Sequence, residues 1–278
     1  MDFKEKIISD IVKLAILEDK VEDDVTTNSL IEYDQKIVAQ VIAKEDGIIS
    51  GIDVFKKTFD MVDPEININV FAGDGFSVKR GCVILEIIGR ESSILKAERT
   101  ALNFLQRLSG IATLTGKFVE IIKPYNVILL DTRKTTPGMR YLEKKAVTDG
   151  GGTNHRLNLE DMAMVKDNHI KMAGTISNAV KKIRNKFPHK KIEVEVKDLD
   201  EFREALSLNV DIIMLDNFSI EMGKKAVRMN TKSVKLEISG NIKLENIEEK
   251  AKTGVDYISV GALTHSFKSL DLSLNVRR

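Results

Sequence analysis

Residues 192–217, IEVEVKDLDEFREALSLNVDIIMLDN, contain two short apolar runs separated by an amphipathic stretch. Ile192–Val196 and Ile212–Leu215 have the length and composition of strands, and Asp198–Ser207 between them has a helical pattern. A strand, a helix and a second strand in succession favour parallel strands joined by a right-handed crossover. Nearly continuous apolar runs are also typical of strands that are buried on both faces. This stretch therefore predicts a parallel sheet covered by helices.

The same alternation runs from Asn126 towards the end of the chain. The other strand-like runs are Val127–Leu130, Met162–Val165, Val234–Ile238 and Tyr257–Val260, and the other helix-like segments are Thr175–Lys186, Ile220–Arg228 and Leu244–Lys252. About six such units fit either a barrel related to the TIM type or an open doubly wound sheet. No Gly-x-Gly-x-x-Gly sequence opens a helix after the first strand, which weakens the dinucleotide-binding form of the open sheet.

Nearly every one of these runs ends in polar or small residues. They are Asp131 and Arg133, Lys166 and Asp167, Glu195 and Lys197, Asp216 and Asn217, Ser239–Asn241, and Gly261. Any single strand can end in a polar turn, but here six ends in succession carry such residues, several of them charged and next to apolar core. In a barrel these ends converge on the face where the chemistry of that fold takes place. We therefore expect an α/β barrel with its site on this face.

The first hundred or so residues have a different pattern. Apolar residues in Ile7–Ala15 recur at helical spacing, and short β-rich runs follow at 37–43, 48–49 and 83–88. This mixture predicts an α+β domain with an antiparallel or mixed sheet. A long helix is expected over residues 92–122, with Gly110 and Gly116 as points where it breaks.

Composition argues against several classes of partner. The 278 residues include 43 Lys and Arg and 42 Asp and Glu, and this net charge of +1 offers no basic surplus for a nucleic acid. Aromatic residues make up 5% and Trp is absent, which argues against stacking on single-stranded bases. Since no apolar run is long enough for a membrane helix and the first residues are charged, we expect a soluble, cytoplasmic protein. The one cysteine, Cys82, lies in an apolar run and is expected to be a buried thiol.

Two segments carry the candidate cations. Arg133 and Lys134 follow a buried strand directly and precede two threonines, so they form either an anion cradle or a solvated turn. The second segment begins with the glycines of residues 150–152, which permit close approach of the backbone to a ligand or form a flexible loop. The cations and histidines that follow these glycines favour ligand binding: His155, Arg156, Lys166 and His169. A zinc site is the weaker alternative, because no Cys and no close His pair supports it.

The candidate acidic groups lie on neighbouring strands. Glu193 and Glu195 alternate along one strand and therefore point to the same face, and Asp216 ends the next strand. Buried carboxylates need cations or a metal ion, and oxygen ligands near a polyphosphate suit magnesium. A salt bridge to the Arg and Lys side chains across the barrel mouth is the alternative. The turns Ser239–Asn241 and Ser259–Ala262 offer free backbone N–H groups to a phosphate, or are ordinary tight turns.

These segments together resemble the quinolinate phosphoribosyltransferase (nicotinate-nucleotide pyrophosphorylase, carboxylating) family. The matching segments, in the same order over nearly the whole chain, are Glu18-Asp19, Asp24–Thr27, Glu98–Asn103, Asp131–Arg140, Gly150–Arg156, Lys166–Ile170, Glu193–Val196, Met214–Asn217 and Glu237–Ile242. The resemblance implies an N-terminal α/β sandwich domain of residues 1–108, an incomplete TIM-like α/β barrel of residues 109–267 and a homodimer. The tail, residues 268–278, is expected to pack on the first domain.

The resemblance also implies a reaction and the residues that perform it. The family transfers the phosphoribosyl group of phosphoribosyl pyrophosphate to quinolinate with decarboxylation, a step of NAD biosynthesis. The positions that match its quinolinate-binding residues are Arg133, His155, Arg156 and Lys166. Lys134, Glu195 and Asp216 match catalytic positions around phosphoribosyl pyrophosphate and Mg²⁺, the last two as metal ligands, directly or through water. Ser239, Gly240 and Gly261 match positions near the 5-phosphate, and Arg99 matches an arginine that enters the partner subunit's site.

One departure and several alternatives remain open. Ile238 stands where relatives often carry a small residue, and we expect it to face packing rather than chemistry. A related phosphoribosyltransferase is the nearest alternative, for example a nicotinate-specific enzyme or a molybdenum-transport-associated homologue. A Schiff-base lyase that uses Lys166, and a barrel that only binds small anions, are the others. The group that gives the ring its proton after decarboxylation is unassigned, with Lys134 and solvent as candidates.

Overall fold

The structure is a computed structural model that describes residues 3–231 and 234–277, apart from the side chain of Phe3. The chain divides into two compact units. The antiparallel-sheet unit consists of Met1–Gly116, Thr136–Gly151 and Phe267–Arg278, and the parallel-sheet unit consists of Lys117–Thr135 and Gly152–Ser266. The domain boundary that was expected between residues 108 and 109 falls inside one long helix and stays a prediction.

The antiparallel-sheet unit begins with helices and continues with short strands. Its helices are α1 (Phe3–Asp19), α2 (Val25–Leu30), α3 (Ile52–Val62), α4 (Glu91–Ile122), which runs on past Gly116, and α5 (Arg140–Asp149). Its strands are β1 (Lys36–Ala43), β2 (Gly47–Ile48), β3 (Asn67–Val70), β4 (Ser77–Val78), β5 (Val83–Arg90) and, at the end of the chain, β12 (Leu272–Arg277).

The main sheet of this unit has the strand order β12-β1-β5-β3, with all neighbours antiparallel, and β2 pairs with β4 separately. Alternate residues of β1, namely Ala39, Val41 and Ala43, are fully buried. They join a core that includes Phe55 of α3 and Leu102 of α4. Burial of apolar surface between this sheet and the two helices stabilises the unit, at roughly 25 cal/mol per Å². The predicted sandwich of sheet and helices is confirmed.

Helix α4 is unbroken, so the expectation that Gly110 and Gly116 interrupt it was wrong. A Cβ atom on Gly110 would lie 2.3 Å from the carbonyl oxygen of Lys268, and one on Gly116 would lie 2.5 Å from Cδ1 of Ile48. These glycines let other segments approach the helix closely, and that gain outweighs their low helix propensity.

The expectation for Cys82 was also wrong, because this residue is exposed. Cys82 precedes β5 in a turn, where its N–H donates to the carbonyl of Lys79 and its carbonyl accepts from the N–H of Ala43. The apolar run that predicted burial begins one residue later, at Val83, where the strand begins.

The parallel-sheet unit alternates strands and helices. Its strands are β6 (Ile128–Leu130), β7 (Ala163–Val165), β8 (Ile192–Val196), β9 (Ile212–Asp216), β10 (Lys235–Ser239) and β11 (Tyr257–Ser259). Its helices are α6 (Asp167–Ala173), α7 (Ile176–Lys186), α8 (Leu199–Ser207), α9 (Ile220–Met229), α10 (Ile247–Ala251) and α11 (Ala262–His265).

The six strands form one parallel sheet in the order β6-β11-β10-β9-β8-β7. Among the described residues β6 and β7 do not pair with each other, and β6 has only an isolated bridge, from Leu130 to Thr153, on its other side. The sheet is therefore an incomplete barrel, as predicted, and each of the six apolar runs matches a strand to within one residue at each end. Within residues 3–231 and 234–277, no helix is both long and apolar enough to cross a membrane.

Candidate active site

The pocket of the parallel-sheet unit lies where its strands end. Its volume is about 560 Å³. Alternation along each strand decides which side chains reach it, because successive residues point to opposite faces of a sheet. Met214 and Asp216 of β9 line the pocket, whereas Ile213 and Leu215, which alternate with them along the strand, are fully buried apolar residues that do not. The same alternation exposes Glu237 and Ser239 of β10 to the pocket.

Nine of the eleven residues predicted for the site line this one pocket: Arg133, Lys134, His155, Arg156, Lys166, Glu195, Asp216, Ser239 and Gly240. The other two are Gly261 and Arg99. Gly261 lies beside the Lys134 side chain, because a Cβ atom on Gly261 would be 3.1 Å from Cδ of Lys134. Arg99 is exposed on α4, in the antiparallel-sheet unit.

Two arginines give the pocket its positive charge. Arg156 is held by its own surroundings: Nη1 donates to the carbonyl of Met162 at 2.9 Å, and Nη2 lies 3.6 Å from Sδ of Met164. Burial and the neighbouring charge of Arg133 lower the pKa of Arg156. The buried Nε of Arg133 has no hydrogen-bond partner among the described residues. Two adjacent guanidinium groups with incomplete hydrogen bonding favour a multiply charged anion.

Lys166 and Glu195 form an ion pair, with Nζ 2.5 Å from Oε2. The salt bridge that the sequence allowed between the acidic and basic groups is therefore present. Lys166 comes directly after β7 and Glu195 lies on the adjacent strand β8, so their partnership follows from the parallel pairing of these strands. An anion that binds Lys166, or a cation that binds Glu195, must compete with this pair.

His155 and Glu237 line the floor of the pocket, and the buried carboxylate of Glu193 lies beside them. Nε2 of His155 lies 3.0 Å from Glu193 and 3.4 Å from Glu237, and neither carboxylate has any exposed surface. No hydrogen bond from a described residue reaches the carboxylate oxygens of Glu193 and Glu237, beyond this approach of the ring. Burying two carboxylates with so little compensation is costly, and such arrangements concentrate at functional sites.

The ring of His155 is fixed from both sides. The backbone N–H of Arg156 donates to Nδ1 of His155 at 2.8 Å, so the proton of the neutral ring lies on Nε2, facing the carboxylates. Burial opposes the charged ring, but Glu193 and Glu237 outweigh it and raise the pKa of His155 to about 9. Burial raises the pKa of Glu193, and the charge of Glu237 raises it further. The approach of His155 has the opposite effect but does not outweigh them. A second proton on the ring would have to bind Nδ1 and displace the N–H of Arg156.

The same three groups have the spacing of a metal site, since one donor atom from each lies within 4.8 Å of the others. The bond from Arg156 to Nδ1 argues against a metal there, because Nε2 would have to lose its proton to act as a ligand. The predicted magnesium ligands, Glu195 and Asp216, are a separate pair. Both offer oxygen donors to the pocket, which is the donor type that magnesium prefers.

Sequence reasoning gave no role to Glu237, Met164 or Met214, which line the pocket. A carboxylate in the middle of the apolar run of β10 was the available signal for Glu237, because a charge buried in a strand requires a partner. Sequence reasoning also grouped His169 with the ligand-binding residues. The structure gives it a structural contact instead: Nδ1 of His169 accepts the N–H of Lys166 at 3.1 Å, at the start of α6.

Comparison with known proteins identifies the family to which most of the chain belongs. Residues 24–109 match the sequence model for the N-terminal domain of quinolinate phosphoribosyl transferase, and residues 111–275 match the model for its C-terminal domain. The chain belongs to the quinolinate phosphoribosyl transferase family. The family resemblance that the sequence motifs predicted is confirmed.

Members of the quinolinate phosphoribosyl transferase family from several bacteria are similar to this chain over most of their length. The probable nicotinate-nucleotide pyrophosphorylase [carboxylating] of Bacillus subtilis (strain 168) is 42% identical over 261 residues, which are 94% of this chain and 90% of that protein. The structure of the nicotinate-nucleotide pyrophosphorylase from Francisella tularensis superimposes with a TM-score of 0.95 at 44% identity, covering 98% of this chain and 96% of that chain. Human nicotinic acid phosphoribosyltransferase, with a TM-score of 0.65 at 11% identity, shares the fold alone.

Proposed function

We propose that this protein transfers the phosphoribosyl group of phosphoribosyl pyrophosphate to quinolinate, with decarboxylation. The products are nicotinate mononucleotide, pyrophosphate and carbon dioxide, in a step of NAD biosynthesis. Membership of the quinolinate phosphoribosyl transferase family supports this activity. The observation that carries it is the convergence of Arg133, Arg156 and Lys166 on one pocket, because a ring with two carboxylates is a multiply charged anion.

The quinolinate end of the pocket consists of the two arginines, Lys166 and His155. Arg133 and Arg156 offer planar forks for the two carboxylates, and each charge-assisted hydrogen bond contributes about 1.5–3 kcal/mol net. Both ring nitrogens of His155 already face protein groups, so its contribution is to orient the Arg156 backbone and to carry charge at the pocket floor. Lys166 leaves Glu195 for a substrate carboxylate, or bridges the two.

The phosphoribosyl pyrophosphate end consists of Lys134, Glu195, Asp216 and the Ser239–Asn241 turn. Lys134 supplies a point charge, and the N–H groups of the turn suit the 5-phosphate. Glu195 and Asp216 would hold Mg²⁺, directly or through water, and the ion would supply positive charge opposite the phosphate oxygens. In this arrangement the two carboxylates also stabilise the positive charge that develops on the sugar.

The proposed reaction consists of a transfer step and a decarboxylation step. The pyridine nitrogen forms a bond to the anomeric carbon of the ribose as the bond from that carbon to pyrophosphate breaks. The bond to the 2-carboxylate then breaks, carbon dioxide leaves, and the pyridinium ring holds the electron pair until the ring carbon takes a proton from Lys134 or from solvent. Orientation of the two bound reactants supplies roughly 7–11 kcal/mol of the rate enhancement.

The proposal includes a homodimer in which Arg99 completes the partner's site. Its support is the match of Arg99 to the family's motif and its exposure on α4. Subunits that carry Arg99→Ala, mixed with subunits that carry Lys134→Ala, should regain part of the activity that each variant lacks alone. No recovery after subunit exchange would count against a shared site. The expected cytoplasmic location stays a prediction.

The test of the activity is release of carbon dioxide from carboxyl-labelled quinolinate in the presence of phosphoribosyl pyrophosphate and magnesium. We expect labelled carbon dioxide and nicotinate mononucleotide in equal amounts, and neither without phosphoribosyl pyrophosphate. Product from nicotinate but not from quinolinate would assign a nicotinate-specific transferase. Binding of both substrates without any product would support a protein that only binds anions, and borohydride trapping of a carbonyl substrate would support the lyase.

A further inference from the structure

Two of the three described non-glycine residues with positive φ lie side by side in the pocket. They are Asn217, with φ of 54°, and Asn241, with φ of 51°. The third is Lys20, next to the short 3₁₀ turn that follows α1. A left-handed conformation costs about 1 kcal/mol or more for a residue with a Cβ, and such residues persist where the surroundings determine them. The parallel pairing of β9 with β10 brings them together, since Asp216 is in register with Ser239.

A chain of hydrogen bonds connects these residues. The carboxamide of Asn217 donates through Nδ2 to Oδ2 of Asp216 at 2.9 Å, and its Oδ1 accepts from Nδ2 of Asn241 at 3.1 Å. The backbone N–H of Asn217 donates to the carbonyl of Ser239 at 2.9 Å. If the carboxamide flipped, its oxygen would face the Asp216 carboxylate. The network therefore determines the orientation of the carboxamide.

Gly240 fits the same arrangement. Its φ is 97°, and a Cβ atom there would lie 2.2 Å from Oδ1 of Asn217. The turn that carries Ser239 and Gly240 is therefore built against the Asn217 side chain. The far end of the turn is held as well, because Nδ2 of Asn246 donates to the carbonyl of Asn241 at 3.0 Å. Asn217 thus contacts the two groups that face opposite ends of the ribosyl donor in the proposed function.

We propose that Asn217 is a positioning residue that fixes the spacing between the Asp216 carboxylate and the Ser239–Asn241 turn. This inference rests on the proposed function, in which Asp216 acts at the pyrophosphate end and the turn at the 5-phosphate end. Asn217 acts through these two groups. Phosphoribosyl pyrophosphate spans both ends and benefits from the fixed spacing, whereas a ligand that occupies one end does not.

The test compares Asn217→Gly with the wild type. Glycine keeps the left-handed backbone without strain, so this variant removes only the carboxamide. We expect the KM for phosphoribosyl pyrophosphate to rise about tenfold or more, as for the loss of one charge-assisted hydrogen bond. The inhibition constants of pyrophosphate alone and of ribose 5-phosphate alone should change by less than about threefold, and so should the Kd of quinolinate, because each of these ligands occupies one end or neither.

Two further variants separate the two hydrogen bonds of the carboxamide. Asn217→Asp keeps an acceptor for Asn241 but places a negative charge beside Asp216, and it should raise the KM at least as much as glycine does. Asn241→Gly removes the other bond, and the double variant Asn217→Gly with Asn241→Gly should lose less than the product of the two single effects. If Asn217→Gly fails to fold, Asn241→Gly alone tests the same connection through the same comparison of ligands.

Asn230→Gly is the matched control. Asn230 also makes two side-chain hydrogen bonds in the parallel-sheet unit, both to the backbone of Val234, and it does not line the pocket. The kinetic constants of Asn230→Gly should stay within about twofold of wild type, because the lost hydrogen bonds affect stability alone. An unchanged KM in Asn217→Gly, or an equal loss of affinity for all four ligands, would overturn the positioning role. Absence of wild-type activity would instead remove the proposed function.

Discussion

The buried carboxylates of the two units differ in how many hydrogen bonds they accept. In the antiparallel-sheet unit, the almost fully buried Asp63 accepts hydrogen bonds from Arg90, Ser93 and the N–H of Glu65. In the parallel-sheet unit, Glu193 and Glu237 are completely buried, and Nε2 of His155 is the one described donor near them.

Charge that is fully hydrogen-bonded contributes to stability, whereas charge with few partners costs stability and remains available to a ligand. Lys145 follows the first pattern: burial lowers its pKa, but the carboxylates of Asp149 and Asp74, at 2.7 and 2.6 Å, outweigh burial and raise the pKa overall. Arg133 follows the second, with a buried Nε that lacks a described partner at the pocket. The difference separates charged groups that stabilise the fold from charged groups that the pocket leaves available to a ligand, and it can be tested one residue at a time.

The largest expected effect is that of Arg156→Ala. Loss of two charge-assisted hydrogen bonds, at about 1.5–3 kcal/mol each, should lower kcat/KM for quinolinate by about 10²–10⁴-fold. The thermal midpoint should change little, because the guanidinium makes only one hydrogen bond shorter than 3.5 Å to the described protein. Steady-state kinetics and a thermal melt check both expectations.

Arg184→Ala is the control for this substitution. The Arg184 guanidinium donates to the carbonyls of Pro188, Lys190 and Asn209 and lies outside the pocket. We expect a lower thermal midpoint with kcat/KM within about threefold of wild type. If Arg184→Ala lowered kcat/KM as much as Arg156→Ala, the loss could not be assigned to contact with the substrate.

Glu237→Gln should lower activity and raise stability together. The substitution removes one of two buried carboxylates that face His155, and such a group costs about 1–3 kcal/mol when it lacks hydrogen bonds. It also removes a charge that raises the pKa of His155. We expect kcat/KM to fall about tenfold and the free energy of unfolding to rise by about 1 kcal/mol. A variant that is both less active and less stable would mean that Glu237 is structural.

Asp63→Asn should lower stability and leave activity unchanged. The hydrogen bond from Arg90, with that from Ser93, lowers the pKa of Asp63 to about 2, although burial opposes the shift. At neutral pH we expect the substitution to lower the free energy of unfolding by about 1–3 kcal/mol.

The pH dependence follows from the lowered pKa of Asp63. The stabilisation is complete above its ordinary pKa of 3.8 and is lost as the pH falls from that value towards about 2. The difference between wild type and Asp63→Asn in urea unfolding should therefore be constant from pH 7 to about pH 5, fall to roughly half near pH 3 and disappear only below about pH 2. A difference that had already disappeared at about pH 3.5 would contradict the assigned pKa.

The sequence predicted the parallel sheet and most of the pocket because both depend on local patterns. Apolar runs of strand length specify β6–β11, and residues that end or directly follow these strands emerge at the same edge, which brings Lys166, Asp216 and Ser239 together. Alternation predicted that Glu193 and Glu195 share a face. The role of each carboxylate was not predictable, because it depends on whether His155 or Lys166 lies opposite.

Long-range packing explains the failures of prediction. Gly110 looked like a helix break because the approach of Lys268 to it is a contact between distant parts of the sequence. Cys82 looked buried because its neighbours are apolar, but the strand begins after it. The hydrogen bond between Asn217 and Asn241 needs both the register of β9 with β10 and two left-handed backbones, and neither can be read from asparagine in a sequence.

Calorimetric titration with quinolinate and with nicotinate tests the central claim most directly, namely that the strand ends form a pocket for a doubly charged ring. The second carboxylate adds charge-assisted hydrogen bonds of about 1.5–3 kcal/mol, so quinolinate should bind about 10- to 150-fold more tightly than nicotinate. Arg156→Ala should abolish most of that difference. Equal affinity of the wild-type protein for the two compounds would contradict the account.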